Sequence, residues 1–243
     1  MWNFVANTFR FYMDPLIMQL TRVGLGSMLL NEFYGCLLYA DDILLITHTV
    51  HDMHPMLHCC DKYADDFDIR FKSGKSVAMR IGKRFSERCV SLQTGNRDIV
   101  YVSELKYLGV HVIASQQLKF SVEHLRSKFY RTFNCVYSKS LAANSELVTV
   151  ELMKSYCLPG LLYASEAICL TTTNIRTLDN CINRALYKIY NACDNDSLLH
   201  LRYYLEISNV NKIIENRRIK LMDKLVEEMT FAVLCNVFIR NLF

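Results

Sequence analysis

The run Cys36-Leu37-Leu38-Tyr39-Ala40-Asp41-Asp42-Ile43-Leu44-Leu45-Ile46 decides the fold. Two apolar runs of strand length flank a pair of adjacent carboxylates, and short continuous runs of this kind predict strands buried on both faces. Paired as a hairpin, they place the two acids at its tip. Tight hairpin turns favour Asn-Gly or Asp-Gly, where glycine supplies positive φ at little cost, so Ala-Asp is an unusual choice. Two like charges side by side raise the cost further unless a cation neutralises them. Magnesium is the usual cation for oxygen-only ligands, held by one or two carboxylates together with substrate phosphates.

The same four letters, Tyr-Ala-Asp-Asp, recur at Tyr63–Asp66 in a different setting. Upstream, Met53, Met56, Leu57, Cys60, Ala64 and Phe67 fall at helical spacing. Asp52 is expected to cap this helix, with Pro55 in its first turn. Asp65 and Asp66 then lie near the helix end, facing water. Periodicity assigns the first copy to a hairpin and the second to a solvated helix terminus.

The stretch Phe33-Tyr34-Gly35 through Asp41-Asp42 to Leu45 resembles the third palm motif of reverse transcriptases of the non-LTR (LINE-type) retrotransposons. Its neighbours follow in the family's order. Phe71-Lys72-Ser73-Gly74-Lys75-Ser76 with Met79-Arg80-Ile81-Gly82 resembles the next motif, although Lys72 stands where the family has asparagine. Leu105-Lys106-Tyr107-Leu108-Gly109-Val110 resembles the primer-grip hairpin. Ser155-Tyr156-Cys157-Leu158-Pro159-Gly160-Leu161-Leu162-Tyr163-Ala164-Ser165-Glu166 resembles the thumb and connection region. The likeness runs from about Phe11 to about Asp223, and Met1 to Thr8 matches no part of it.

This resemblance implies an α+β fold: a partial polymerase palm, an antiparallel hairpin with helices, in residues 1–119, and a helical thumb-like region in 120–243. It implies magnesium-dependent DNA synthesis, with an RNA template and a DNA primer as partners. Asp41 and Asp42 are the metal ligands it implies, with Lys75 aiding departure of pyrophosphate as a general acid. Tyr39, Leu108 and Gly109 would lie against the primer, and Arg126, Lys128 and Arg131 on the first thumb-like helix would meet duplex phosphates. In the family, earlier motifs supply a further metal-binding aspartate, and Phe11-Tyr12-Met13-Asp14-Pro15-Leu16-Ile17 resembles the helix that follows them. Asp14 is therefore not that ligand, and Glu32 is a remote candidate. The chain is expected to begin partway through the palm and to be inactive alone, because two-metal phosphoryl transfer needs ions about 3.5–4 Å apart held by more than two carboxylates. The alternative is a non-catalytic remnant that binds nucleic acid or protein.

Composition sets looser bounds. The chain has 243 residues, 51% of them hydrophobic, which is ample for a core and excludes general disorder. A net charge of +4 permits nucleic-acid contact without demanding it. Ten cysteines are scattered without Cys-x-x-Cys spacing. No secretory signal is apparent, so free thiols and an intracellular location are expected. His54, His58 and Cys59 cluster on the predicted helix but lack a fourth zinc ligand. No membrane span is expected: Leu152–Leu170 is interrupted by Lys154, Pro159-Gly160 and Glu166, and reads as buried helices with a break. The apolar run Met229–Phe243 is shorter than a span and either docks on a core or is an altered terminus.

Along the chain, a helix is expected near Phe9–Leu20. Strands are expected at Ser76–Ile81, Ile99–Val102 and Tyr107–Val112. Helices follow with faces Leu125, Phe129, Phe133 and Val136, then Val148, Leu152 and Tyr156, then Leu178, Ile182, Leu186 and Ile189. Lys83, Arg84 and Arg88 fall in a loop, and Arg217, Arg218, Lys220 and Lys224 cluster further on. Solvated faces are the ordinary reading of such basic groups, and phosphate contact is the functional one.

Overall fold

The computed structural model describes residues 2–29, 32–72, 74–95, 97–140, 145–191 and 194–240, with side chains among 12–28, 33–72, 74–95, 97–140, 145–191 and 194–227. Ser73, the side chain of Glu32 and those of the run from Met229 lie outside the described residues. The fold is α+β, with helices and small, mostly antiparallel sheets. It divides into two compact units, residues 1–105 with 114–117, and residues 106–113 with 118–243.

In the first unit, α1 (Trp2–Val23) runs longer than the predicted helix and contains Pro15. After the short pair β1 (Met28–Leu29) and β2 (Glu32–Phe33) comes the hairpin of β3 (Cys36–Tyr39) and β4 (Asp42–Leu45). Its register pairs Cys36 with Leu45, Leu37 with Leu44, Leu38 with Ile43 and Tyr39 with Asp42. The expectation of burial on both faces fails. Cys36, Leu38, Ile43 and Leu45 pack on a core made by Met13, Leu16 and Leu20 of α1 and by Met56, Cys60 and Tyr63. The alternate residues take the other face, where Leu37 is 40% exposed and Tyr39 63%. Leu44 on that face is half-buried, so the face is partly open, and among the described residues the sheet has only these two strands.

The helix α2 (Val50–Asp66) follows. Its cap is Thr49 rather than Asp52: the Thr49 Oγ1 accepts from the Asp52 N–H at 3.1 Å and donates to the Asp52 carboxylate at 2.7 Å. Asp52 is thus the third helical residue, where an acid stabilises a helix start. Pro55 falls in the second turn, not the first. Asp61 of α2 accepts from Thr94 Oγ1 at 2.5 Å and from the Gly95 N–H at 3.1 Å. These bonds fasten the helix to a sheet in which β7 (Arg97–Tyr101) lies between β5 (Val77–Ala78), parallel to it, and β6 (Leu92–Thr94), antiparallel. Of the strand predicted over Ser76–Ile81, only β5 forms. Lys83, Arg84 and Arg88 lie in or beside the turns between β5 and β6.

In the second unit the predicted strand Tyr107–Val112 is two strands. β8 (Glu104–Tyr107), whose second half belongs here, turns at Leu108-Gly109 into β9 (Val110–Ile113), which pairs with β10 (Lys119–Ser121). The helix α3 (Glu123–Ser140) buries Leu125, Phe129 and Phe133, with Val136 partly covered. Next come α4 (Glu146–Leu152), a π-helical turn at Met153–Cys157 and α5 (Leu158–Leu161). Here the predicted face is off by one position: Val148 and Tyr156 are exposed, while Thr149, Val150, Met153, Cys157 and Leu161 are buried. The predicted break at Pro159-Gly160 also shifts, because the helix runs through it to Leu161. Pro159 has no N–H for the Ser155 carbonyl, and its ring would strike that carbonyl in a regular helix. The wider turn before it, closed by Leu158 N–H on Met153 O, makes the room.

The helix α6 (Thr172–Tyr190) buries Leu178, Ile182, Leu186 and Ile189 as its spacing predicts. After it come α7 (Asn195–Tyr204) and α8 (Val210–Arg240). Arg202 joins all three. Its guanidinium is doubly bonded to Asp179 at 3.0 Å on each nitrogen, and also donates to Asn183 Oδ1, Ser208 O and Ile207 O. All five of its donors are therefore engaged, and Asp179 also accepts the Val210 N–H at 3.1 Å. A cleft of about 610 Å³ lies over this pair. The salt bridge at its floor is fully satisfied, which makes it a structural joint between helices.

Candidate functional site

The first Tyr-Ala-Asp-Asp forms a two-residue turn, with Ala40 and Asp41 between the paired Tyr39 and Asp42. Ala40 has φ of +50°, a left-handed conformation that costs a residue with a Cβ roughly 1–2 kcal/mol. Strain of this kind persists where the surroundings fix the backbone, and the base of the hairpin shows how. Gly26 and Gly35 meet backbone to backbone: a Cβ on Gly35 would come within 2.5 Å of the Phe33 ring and 3.1 Å of the Gly26 Cα. Ser27 N–H bonds Ile46 O at 3.1 Å and Ile46 N–H bonds Gly35 O at 2.8 Å, closing the base. Both strands are thereby pinned at the end opposite the acids.

Asp41 and Asp42 are exposed and make no ion pair among the described residues. In water two charges about 4 Å apart interact by only about 1 kcal/mol, so solvent alone tolerates the pair. Asp42 shares the second sheet face with Tyr39, Leu37 and Leu44. Among the described residues no group of three or more His, Cys, Asp or Glu side chains comes close enough to hold a metal ion, which also covers His54, His58 and Cys59. Two exposed carboxylates fit one magnesium that keeps waters and substrate phosphates as its other ligands. They do not make a two-metal centre. Lys75 is exposed in a turn where its N–H bonds Lys72 O at 2.8 Å, and no ion pair joins it to either aspartate.

The second copy has another use. Tyr63 is fully buried and its hydroxyl donates to the Tyr12 carbonyl of α1. Asp65 and Asp66 are exposed at the end of α2, as predicted.

In the second unit, several residues singled out above converge on Pro159–Tyr163. Leu108 and Gly109 form a two-residue turn with φ of +47° and +80°, the pair of positive angles that a type I′ turn requires. Leucine is poorly suited to the first of these, at a cost of about 1–2 kcal/mol. The Tyr163 hydroxyl donates to Leu108 O at 3.1 Å, and a Cβ on Gly109 would lie 3.0 Å from the Tyr163 ring. Glycine is there because the ring occupies the space. The Lys128 Cε lies 3.9 Å from where a Gly160 Cβ would be, so its stem rests on the same segment.

The three basic residues of α3 do not form one patch. Lys128 and Arg131 are exposed neighbours at i, i+3. Arg126 lies about 140–160° around the helix from them and pairs with Glu123 at 2.8 Å. Arg217 and Arg218 also serve the structure, donating at 2.8 Å to Leu162 O and at 2.9 Å to Ile168 O. Tyr163 lies within the quoted run Ser155–Glu166 but was not singled out from the sequence, because its partner Leu108 is 55 residues away.

The described thiols are free. Burial pushes Cys36 and Cys157 up to about 11 and Cys60 to about 12, which makes them inert at neutral pH. No described helix is long and apolar enough to cross a membrane. No protein-family model and no curated protein matches this chain.

Proposed function

We propose that this chain is reverse-transcriptase-like, with a palm hairpin that binds magnesium through Asp41 and Asp42 and a thumb-like helical unit that rests on a nucleic-acid duplex. The observation that carries this reading is the turn at Ala40. A left-handed alanine held by a glycine-pinned hairpin presents two adjacent carboxylates that no cation of the described residues neutralises. Bound there, magnesium would bring phosphate oxygens to the site and offset the charge of the two acids. Asp41 and Asp42 would hold it, Tyr39 presents an exposed ring opposite Asp42, and the chemistry would require a third carboxylate that the described residues do not gather. The chain alone is therefore expected to bind the ion weakly and to synthesise no DNA.

Manganese, used as a spectroscopic probe with pyrophosphate present, tests the metal half. Binding should fall about tenfold or more in Asp41→Asn and Asp42→Asn and be unchanged in Asp65→Asn. Equal loss in all three would remove the assignment. Primer extension on an RNA template tests the inactivity: synthesis that disappears in Asp41→Ala would overturn it.

A second reading, a nucleic-acid-binding module without catalysis, draws on the exposed pair Lys128 and Arg131. Neutralising both should weaken duplex binding and reduce its salt dependence, by about 0.9 in log–log slope for each phosphate left without its cation.

A further inference from the structure

The cleft over the Arg202–Asp179 pair has a fully engaged floor, but its walls are not engaged. Three asparagines line it: Asn183 on α6, Asn195 at the start of α7 and Asn209 just before α8. Each has its carbonyl oxygen tied to a protein donor. Asn183 Oδ1 accepts from Arg202 at 2.6 Å, Asn195 Oδ1 from the Tyr187 hydroxyl at 2.8 Å and Asn209 Oδ1 from the Asn211 N–H at 2.8 Å. Guanidinium and backbone N–H groups can only donate, which fixes the amide orientation at Asn183 and Asn209. The three amino groups make no hydrogen bond among the described residues and are left to the cleft.

Along α7, Asn195, Leu199 and Tyr203 stand about one turn apart in a row roughly 12 Å long, and Tyr203 is 80% exposed. Glu206 follows at the rim, left-handed at φ +54°. It closes α7: Glu206 N–H bonds Tyr203 O at 3.1 Å and Ile207 N–H bonds Arg202 O at 2.9 Å. Glycine is the usual residue in this closing geometry, with asparagine next. Glutamate is strained there, and its carboxylate makes no ion pair among the described residues. Strain at such a position points to a use for the side chain.

We propose that this cleft binds a short extended peptide bearing a lysine or arginine. Amide donors spread along the groove meet main-chain carbonyls, and the row has the length of about four extended residues. The cationic side chain lies on the exposed Tyr203 ring and pairs with Glu206. A sugar would use the ring and the amides but leave the Glu206 charge unanswered.

The test follows the side-chain amide signals of Asn183, Asn195 and Asn209 by NMR in the full chain. The probes are acetyl-Ala-Lys-Ala-Ala-amide and the same peptide with norleucine for lysine. The lysine peptide should move all three signals and bind about tenfold more tightly than the norleucine one, the effect of one charge-assisted contact. Glu206→Gln should abolish that preference, and Tyr203→Ala should weaken the lysine peptide. Glu206→Gly should also abolish it while melting about 2–4 °C higher, since glycine suits the left-handed position, which separates loss of the carboxylate from loss of the fold. Unmoved amide signals, equal binding of the two peptides, or a lysine preference that survives in Glu206→Gln would each overturn the proposal. Maltotriose moving the same signals while the lysine peptide does not would identify a sugar site and overturn it as well.

Discussion

The two copies of Tyr-Ala-Asp-Asp share four letters and almost nothing else. At Tyr39–Asp42 the tyrosine is 63% exposed, the alanine is left-handed and the acids stand at a hairpin tip. At Tyr63–Asp66 the tyrosine is 0% exposed and bonded to the Tyr12 carbonyl, the alanine is helical and buried, and the acids trail off a helix end. A short motif therefore carries no structure of its own. Its neighbours decide, through period-two or helical spacing of apolar residues, which atoms face the core.

The largest test of this contrast exchanges tyrosine for alanine. Tyr63→Ala should destabilise the first unit by about 3–5 kcal/mol, as removal of a fully buried aromatic does, whereas Tyr39→Ala should change stability by under about 0.5 kcal/mol. Urea unfolding measures both, and equal losses would break the comparison.

An alkaline effect is comparable in size. Cys36 lies three residues before the first copy and Cys60 three residues before the second, and both pack in one core. Burial raises their thiols from 9.0 to about 11 and about 12. A raised folded-state pKa means that the stability is whole below pH 9 and is lost as pH climbs from 9 through 11–12, at up to about 1.4 kcal/mol per pH unit for each thiol. The urea midpoint should fall over that window and fall less in Cys60→Ala. A flat profile would show that the thiols are not held protonated by that core.

Smaller still, Ala40→Gly should stabilise the hairpin by about 0.5–1 kcal/mol, because glycine accepts positive φ. The matching Ala64→Gly should destabilise α2 by about 1 kcal/mol. Opposite signs in thermal melts sharpen the contrast, and like signs would refute the turn geometry. Smallest is Asp65→Asn, expected within about 0.5 kcal/mol of the unmodified chain.

These contrasts mark how far the sequence can be read. The hairpin, the α2 helix and the faces of α3 and α6 were legible because each repeats an apolar pattern with one period. Thr49 was missed as a cap since Asp52 is also a good cap, and only the chain direction before Val50 decides between them. Tyr107–Val112 looked like one strand because Leu108 is β-compatible. It breaks at the left-handed pair Leu108 and Gly109, and Tyr163, more than fifty residues away in sequence, bonds the Leu108 carbonyl there. The face of α4 was misplaced by one position because two rows with a spacing of four lie side by side there, and the buried one begins with the polar Thr149 and runs on through Met153, Cys157 and Leu161. Of the candidate site, the two aspartates were read from sequence, but the separation of Arg126 from Lys128 and Arg131 came from the helix itself.

That π-helical turn has a consequence for length as well as for side chains. It changes the rotation accumulated between α4 and α5 relative to an unbroken helix, so it fixes the phase at which everything downstream emerges. Removing one residue from 153–157 would rotate Gly160 and Tyr163 by about 100° and draw them back by about 1.5 Å. Tyr163 would then lose the Leu108 carbonyl, and Lys128 its bare glycine. In this segment the number of residues is as informative as their identity, and a deletion that spares every named side chain would still undo these contacts.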